Sequence, residues 1–169
     1  MALLLRGNID NRRWDWAEVG IPWLPAGEFP AAPLADLKTS LASSLSVWHI
    51  EDDRSNLDRV IAALAANRQH PEKFDYILIA EHLLADAGLQ AQGTMGSSKD
   101  PEANNQWHRD LVELTSSKLV QLARLIYQHA VRDRVLEPRV KELVASAVNA
   151  GRIASATLPD QLRRAVLGG

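Results

Sequence analysis

One stretch decides the fold class of this chain: Phe74-Asp75-Tyr76-Ile77-Leu78-Ile79. A continuous apolar run of this length is typical either of a buried strand or of the first turns of a buried helix. We interpret it as the beginning of a helix over 76–87, because Leu83 and Leu84 extend the apolar pattern and Gly88 is a natural residue to follow a helix end. On this interpretation the chain is mainly α, with at most a small sheet.

The residues before this stretch leave an alternative open. A strand is predicted at 45–50, where the sequence Leu-Ser-Val-Trp-His-Ile is rich in β-forming residues. After Ser55, apolar residues recur at helical spacing, at Leu57, Val60, Ile61 and Leu64. If 74–79 is a second strand, residues 45–79 form a β-α-β unit. Such a unit favours parallel strands and a right-handed crossover, and the fold is then α+β.

Residues 1–44 predict an extended N-terminal arm that packs on a single helix-rich domain at 45–169. Four of the eight prolines and three of the five tryptophans lie in this segment. Proline keeps it from forming a long helix. Trp14, Trp16 and Trp23 require burial, either where they hold the arm against the domain or in the surface of a partner.

Residues 101–166 are predicted to be mainly helical. Pro101, Pro138 and Pro159 each mark a helix start, and Gly151 marks a helix end. The preceding segment 90–99 is rich in glycine and serine and is expected to be a mobile loop. An apolar stripe at helical spacing runs through Trp107, Leu111, Leu114, Leu122 and Ile126. We expect the helices to share one core, formed by Leu57, Ile61, Leu64, Leu111, Leu122, Ile126, Leu143 and Val144.

Charge is unevenly distributed along the chain. Residues 1–117 hold 10 Lys and Arg against 17 Asp and Glu, whereas residues 118–169 hold 9 against 4. An acidic front and a basic tail suggest that each end meets a different partner, or that the two ends meet each other. Arg132, Arg134 and Arg139 of the tail could dock on an acidic protein surface or contact nucleic-acid phosphates. The acids interspersed among them favour the protein surface.

No catalytic or cofactor motif is found in the sequence. The chain has no cysteine, which excludes thiolate zinc sites and cysteine nucleophiles. On a strand, His49, Glu51 and Asp53 would project to one side at a spacing that could hold a metal, but acids there also suit the start of a helix. On a helix, His108 and Asp110 would point about 200° apart and could not form a pair. We therefore expect no catalytic residue, bound metal or cofactor.

These observations favour a non-enzymatic protein-interaction module, an adaptor or accessory subunit, with a protein as its partner. Its expected binding residues are Trp14, Trp16, Trp23, Arg132, Arg134 and Arg139. Two alternatives stay open. One is a nucleic-acid-associated protein that uses the basic C-terminal helices, and the other is an enzyme with a dispersed site of histidines and carboxylates. The residues considered for such a site are His49, Glu51, His108 and Asp110.

The first residues and the hydropathy indicate the compartment. The apolar run at the N-terminus is too short for a signal peptide. No stretch approaches the ~18 consecutive apolar residues of a membrane helix. The sequence therefore predicts a soluble, cytoplasmic protein with no membrane partner.

Overall fold

A six-stranded sheet forms the centre of the molecule in a computed structural model, which describes residues 2–7, 9–14, 25, 28–37, 39–40 and 42–168. Every strand is antiparallel to its neighbours, in the order β4-β5-β2-β1-β3-β6. The strands are β1 (Leu3–Gly7), β2 (Leu45–Ile50), β3 (Phe74–Ala80), β4 (Ala91–Gly93), β5 (His108–Leu111) and β6 (Val131–Val135).

Helices cover both faces of this sheet. Within the described residues they are α1 (Asn11–Trp14), α2 (Ala31–Leu34), α3 (Leu57–Ala65), α4 (Glu81–Asp86), α5 (Pro101–Gln106), α6 (Ser116–His129), α7 (Glu137–Asn149) and α8 (Asp160–Leu167), with a 3-10 turn at Ser155–Thr157. Buried side chains of α3, α7 and α8 pack on one face, which we call face A. Those of α4 and α6 pack on the other, face B. Among the described residues, every helix is too short or too polar to cross a membrane.

The fold is therefore α+β, and the prediction of a mainly α chain with at most a small sheet is wrong. Phe74–Ala80 is strand β3, and the helix that was expected over 76–87 begins only at Glu81. All seven residues of β3 are buried, because helices cover the sheet on both sides. A strand buried on both faces lacks the alternation of apolar and polar residues that identifies a strand in sequence, so it resembles a buried helix.

The α+β alternative describes the fold class, although β2 and β3 do not pair with each other. Strand β1 lies between them and is antiparallel to both, so β2 and β3 are parallel but separated. Leu5, for example, faces Trp48 on one side and Leu78 on the other. The N-terminal segment thus contributes a central strand, where an extended arm was expected. Its partners lie more than 40 residues away, so no local pattern marks the pairing.

The sheet also divides the apolar interior into two cores, so the expectation of one core is wrong. On face A, Ile61, Leu143 and Val144 are buried, and Leu57 and Leu64 pack against them partly buried. The remaining members of the expected core are buried on face B: Leu111, Leu122 and Ile126. Residues on different helices cannot meet when a continuous sheet separates them.

The local signals of the C-terminal half are confirmed where they mark helix ends. Helix α5 begins at Pro101, α7 contains Pro138 in its first turn, and Gly151 follows α7 with a φ of +71°. The continuous stripe through Trp107 and Leu111 is wrong, because α5 ends at Gln106 and β5 follows. Caps and breakers act within a few residues, whereas the choice of strand for β5 depends on its neighbours in the sheet.

Candidate functional site

His108 and Asp110 lie on the same face of the sheet. Both belong to β5, and alternate residues of a strand point to the same side, so the argument that separates them on a helix does not apply. Strand β5 pairs with β2 in a register that places His108 opposite Trp48 and Asp110 opposite Ser46. Trp48 is a member of the face A core, so all four side chains belong to face A.

Four polar side chains on face A form one continuous chain of hydrogen bonds, which we call the serine relay: Ser46, His108, Thr94 and Asp110. Ser46 Oγ lies 2.7 Å from His108 Nε2. His108 Nδ1 lies 2.9 Å from Thr94 Oγ1 and 3.2 Å from the carbonyl oxygen of the same residue. The Thr94 hydroxyl in turn donates to Asp110 Oδ2 over 2.9 Å.

The neighbours of His108 specify its tautomer. A carbonyl oxygen only accepts hydrogen bonds, so the nitrogen that faces the Thr94 carbonyl, Nδ1, carries the proton. The Thr94 hydroxyl donates its one proton to Asp110 and therefore accepts from Nδ1 as well. In the neutral ring Nε2 is then unprotonated, and it accepts the hydroxyl proton of Ser46. This is the arrangement that a general base requires.

The four residues of the serine relay differ in how deeply they are buried. His108 is buried and meets the ring of Trp48 edge-on, at 5.1 Å between centroids and an angle of 77°. Ser46, Thr94 and Asp110 are only half-buried. The imidazole is thus sheltered and held in one orientation, whereas the residues that bond to it are only partly covered.

The loop that carries Thr94 is held by a buried asparagine. Asn104 Oδ1 accepts hydrogen bonds from the backbone N–H and the hydroxyl of Ser98, at 2.9 and 2.6 Å, and its Nδ2 donates to the Ser98 carbonyl. Gly96 passes so close that a Cβ there would lie 2.7 Å from Asn104 Oδ1 and 3.0 Å from His108. The segment expected to be a mobile loop is therefore tied to α5 and packed on the imidazole.

Helix α5 is itself tied to α3 by Asp100. This carboxylate, 1% exposed, caps α5 by accepting from Ala103 N at 3.0 Å, and it accepts two hydrogen bonds from Arg59 at 2.7 and 3.0 Å. Burial opposes its ionisation, but the bonds from Arg59 and Ala103 outweigh burial and lower the pKa of Asp100. The Arg59 guanidinium also lies 5.1 Å from the centre of the Trp107 ring. Since Trp107 directly precedes His108, this clamp helps to set where β5 begins.

An open cleft of about 700 Å³ lies beyond the end of β2, beside the start of α3. Asn56 shapes it by accepting from Glu51 N and donating to the carbonyl of His49. The Ser55 N–H donates to Asp53 and lowers the pKa of that carboxyl. The lining residues are Glu51, Asp52, Asp53, Ser55, Asn56, Arg59, Trp107 and Arg152.

The structure places the expected N-terminal binding residues as follows. Trp14 is buried on face B, and its indole N–H donates to Asp36 over 3.0 Å. Its ring packs against Phe29 at 6.1 Å between centroids. Trp14 therefore contacts its own chain. Trp16 and Trp23 lie outside the described residues.

Two of the three expected basic residues pair with acids of the front half of the chain. Arg134 pairs with Asp75 across the β3–β6 ladder, and Arg139 of α7 lies 2.6 Å from Asp58 of α3. Arg132 is exposed on β6, the edge strand beside β3. Of the two arrangements that the charge asymmetry suggests, contact between the two ends accounts for these pairs.

The histidine and carboxylate pair at the end of β2 is separate from the serine relay. His49 contacts Glu51 and Glu81 at 3.9 and 3.6 Å. In the described part of the chain, no group of three or more histidine, aspartate or glutamate side chains could hold a metal ion. The four residues considered for an enzyme site therefore form two separate pairs: His49 lies beside Glu51, and His108 is linked to Asp110 through Thr94.

Ser46 and Thr94 are the relay residues that sequence reasoning missed. Ser46 lies 62 positions from His108 and Thr94 lies 14 from it. The one local signal, the spacing of two between His108 and Asp110, is informative only once the segment is known to be a strand.

No family model matches the chain, and neither a curated protein nor a solved structure is significantly similar to it.

Proposed function

We propose that the chain is an enzyme that uses Ser46 as a nucleophile to cleave an ester or a related acyl compound. The observation that carries the proposal is the serine relay, in which the hydroxyl of a half-buried serine lies 2.7 Å from an oriented imidazole nitrogen. A serine is a weak nucleophile until an adjacent base removes its proton, and that base needs a third group to orient it. Thr94 and Asp110 fill the third role. The proposal reverses the order of functions that the sequence favours.

The reaction proceeds in two steps. As Ser46 Oγ bonds to the carbonyl carbon, His108 Nε2 takes the hydroxyl proton. The tetrahedral adduct expels the alcohol, which leaves with the proton from His108, so that the acyl group remains bound to Ser46. Water then attacks this ester in the same way and releases the acid. During both steps the Asp110 carboxylate, acting through the Thr94 hydroxyl, stabilises the positive charge that forms on the imidazole.

Covalent labelling tests the proposal directly. A fluorophosphonate reagent reacts with activated serines, so it is expected to modify Ser46 in the native protein, located by peptide mass spectrometry. Ser46→Ala should abolish labelling and hydrolysis of a p-nitrophenyl ester, and His108→Gln should slow both at least about 100-fold. Thr94→Val keeps the shape of the side chain but removes the bridging hydroxyl. It should cost about 10- to 150-fold, as expected for a hydrogen bond to a charged group.

Ser97→Ala is the matched control, because Ser97 is exposed in the same loop and lies outside the serine relay. This variant should label like the native protein. Circular dichroism and thermal unfolding verify that each variant is folded. Absence of labelling at Ser46 in the folded native protein, or equal labelling rates in native and Thr94→Val protein, would contradict the proposal.

A protein-interaction module is the second candidate, favoured by the open cleft. Trp107 is half-buried in its wall, and aromatic residues in such positions often anchor partners. The carboxylates of Glu51 and Asp53 add negative charge, which suits a basic segment of a partner protein. The test is calorimetric titration with a lysine-rich peptide and a glutamate-rich peptide of equal length. Selective binding of the first, weakened about 30-fold or more by Trp107→Ala, supports this candidate; equal binding of both peptides contradicts it.

A further inference from the structure

Asp110 has one oxygen that the serine relay does not use. Oδ2 accepts the hydrogen bond from Thr94, whereas Oδ1 has no hydrogen-bond partner among the described residues. Asp110 is half-buried, so part of this residue lies at the protein surface. Its charge is therefore available to a substrate as well as to the imidazole.

The position of Asp110 places this charge beside the nucleophile. Asp110 and Ser46 are directly opposite in the β2–β5 ladder. Opposite residues of antiparallel strands have their Cβ atoms about 4.5–5.5 Å apart, on the same face. A group attached to a carbonyl at Ser46 Oγ thus comes within a few ångströms of the Asp110 carboxylate.

Among the described residues, no basic side chain is paired with the Asp110 carboxylate. The next side chain in the row, Gln92 of β4, is uncharged and exposed. Arg109 alternates to the opposite side of β5, and its guanidinium donates to the carbonyl oxygens of Gln106 and His108. The charged side chain that directly faces Ser46 is therefore an acid.

From this juxtaposition we infer that the site selects acyl compounds that carry an ammonium group within a few bonds of the reacting carbonyl. The inference rests on the proposed function and names its substrate class. At about 6 Å, the attraction between two unit charges corresponds to about 3-fold in rate at the dielectric constant of water and about 100-fold at the value typical of protein surfaces. We expect a preference of about tenfold for a cationic substrate over a neutral one of the same shape.

Two esters of matched shape measure this preference. Acetylcholine carries a quaternary nitrogen, and 3,3-dimethylbutyl acetate has a carbon atom in its place. The ratio of their kcat/KM values is the readout, because a change in the catalytic step affects both esters and cancels from the ratio. The native protein should give a ratio of about ten, which falls as salt is added. Asp110→Asn should bring the ratio to about one even though it slows both reactions.

Two further variants make the test specific. Asp110→Glu retains the charge and should keep a ratio well above one. Asp86→Asn removes an exposed acid of α4, which packs on the face of the sheet opposite to the serine relay, and should leave the ratio at its native value. Loss of the preference in Asp86→Asn as well would trace it to the net charge of the protein and overturn the inference.

The failure of this inference differs from the failure of the proposed function. If neither ester is turned over in a Ser46-dependent manner, the proposed function is wrong and the inference is wrong with it. If Ser46-dependent turnover occurs with a native ratio near one, or with a ratio that Asp110→Asn leaves unchanged, only the substrate class is wrong.

Discussion

Replacing Asp100 by alanine should remove about 3–4 kcal/mol of the free energy of unfolding, because this carboxylate performs two tasks at once. It caps α5 through Ala103 N, and loss of a cap costs about 1 kcal/mol. It also neutralises Arg59, whose side chain is 17% exposed. Breaking a buried pair costs about 3–5 kcal/mol, but Glu102 remains as a partner of Arg59 at 2.6 Å, so we expect about 2–3 kcal/mol from this source.

Asp100→Asn separates the two tasks. The amide oxygen can still cap α5, while the negative charge opposite Arg59 is lost. We expect this variant to lose about 2 kcal/mol, less than Asp100→Ala, in line with a charged hydrogen bond. Domains of this size have only about 5–15 kcal/mol of stability in total. If Asp100→Ala does not fold, the milder Asp100→Asn variant still allows the measurement.

The assay is urea unfolding at neutral pH, followed by circular dichroism, in a double-mutant cycle with Arg59→Met. Residues in direct contact should show a coupling energy of about 1.5 kcal/mol or more. A coupling energy below about 0.5 kcal/mol would refute the reasoning, as would equal losses in Asp100→Ala and Asp100→Asn. A coupling energy near zero would mean that the cap alone accounts for the role of Asp100, whereas equal losses in the two variants would mean that the charge alone does.

The pH dependence provides an independent check on the same pair. Because the pKa of Asp100 is lower in the folded protein than its ordinary value of 3.8, its ionisation contributes stability above that value. This contribution is lost as the pH falls through the lowered pKa of the folded state. The stability difference between native protein and Asp100→Asn should therefore be constant near neutral pH and shrink below about pH 4.

Three other perturbations are expected to have distinct outcomes. Gly96→Ala should slow Ser46-dependent hydrolysis although it alters no relay residue. The added Cβ would lie 2.7 Å from Asn104 Oδ1 and would displace the loop that carries Thr94. An unchanged rate of hydrolysis contradicts this prediction. Burial, together with the hydrogen bond to Asp133, raises the pKa of Tyr76 to about 12. Ultraviolet titration should therefore show one tyrosine that ionises at higher pH than a free tyrosine. The free energy of unfolding should fall above about pH 10, because the unfolded chain ionises first. Leu143→Ala should cost about 2–5 kcal/mol as a truncation in the face A core, and a loss below about 1 kcal/mol would contradict that placement.

The sequence draws attention to two residues of the serine relay, His108 and Asp110, but does not show that they act together. His108 and Asp110 are chemically conspicuous, but their relation depends on the backbone between them. Two residues apart on a helix they diverge, and on a strand they point the same way. The sequence of β5 is short and polar, so its own residues do not decide between the two conformations. Hydrogen bonds to β2 and β4 decide it.

The sequence by itself determined the features whose free energy comes from neighbouring residues: the capped start of α5, the proline near the start of α7, the glycine after its end, and the strand at 45–50. Only the tertiary structure decided that 74–80 is a strand, that residues 3–7 occupy the middle of the sheet, and that Ser46 and Thr94 meet His108. A cap or a breaker acts within one turn, so it can be recognised in a short segment. Pairing between strands depends on contacts that are distant in sequence. Local propensity does not distinguish one strand register from another, and packing on both faces of the sheet selects the register.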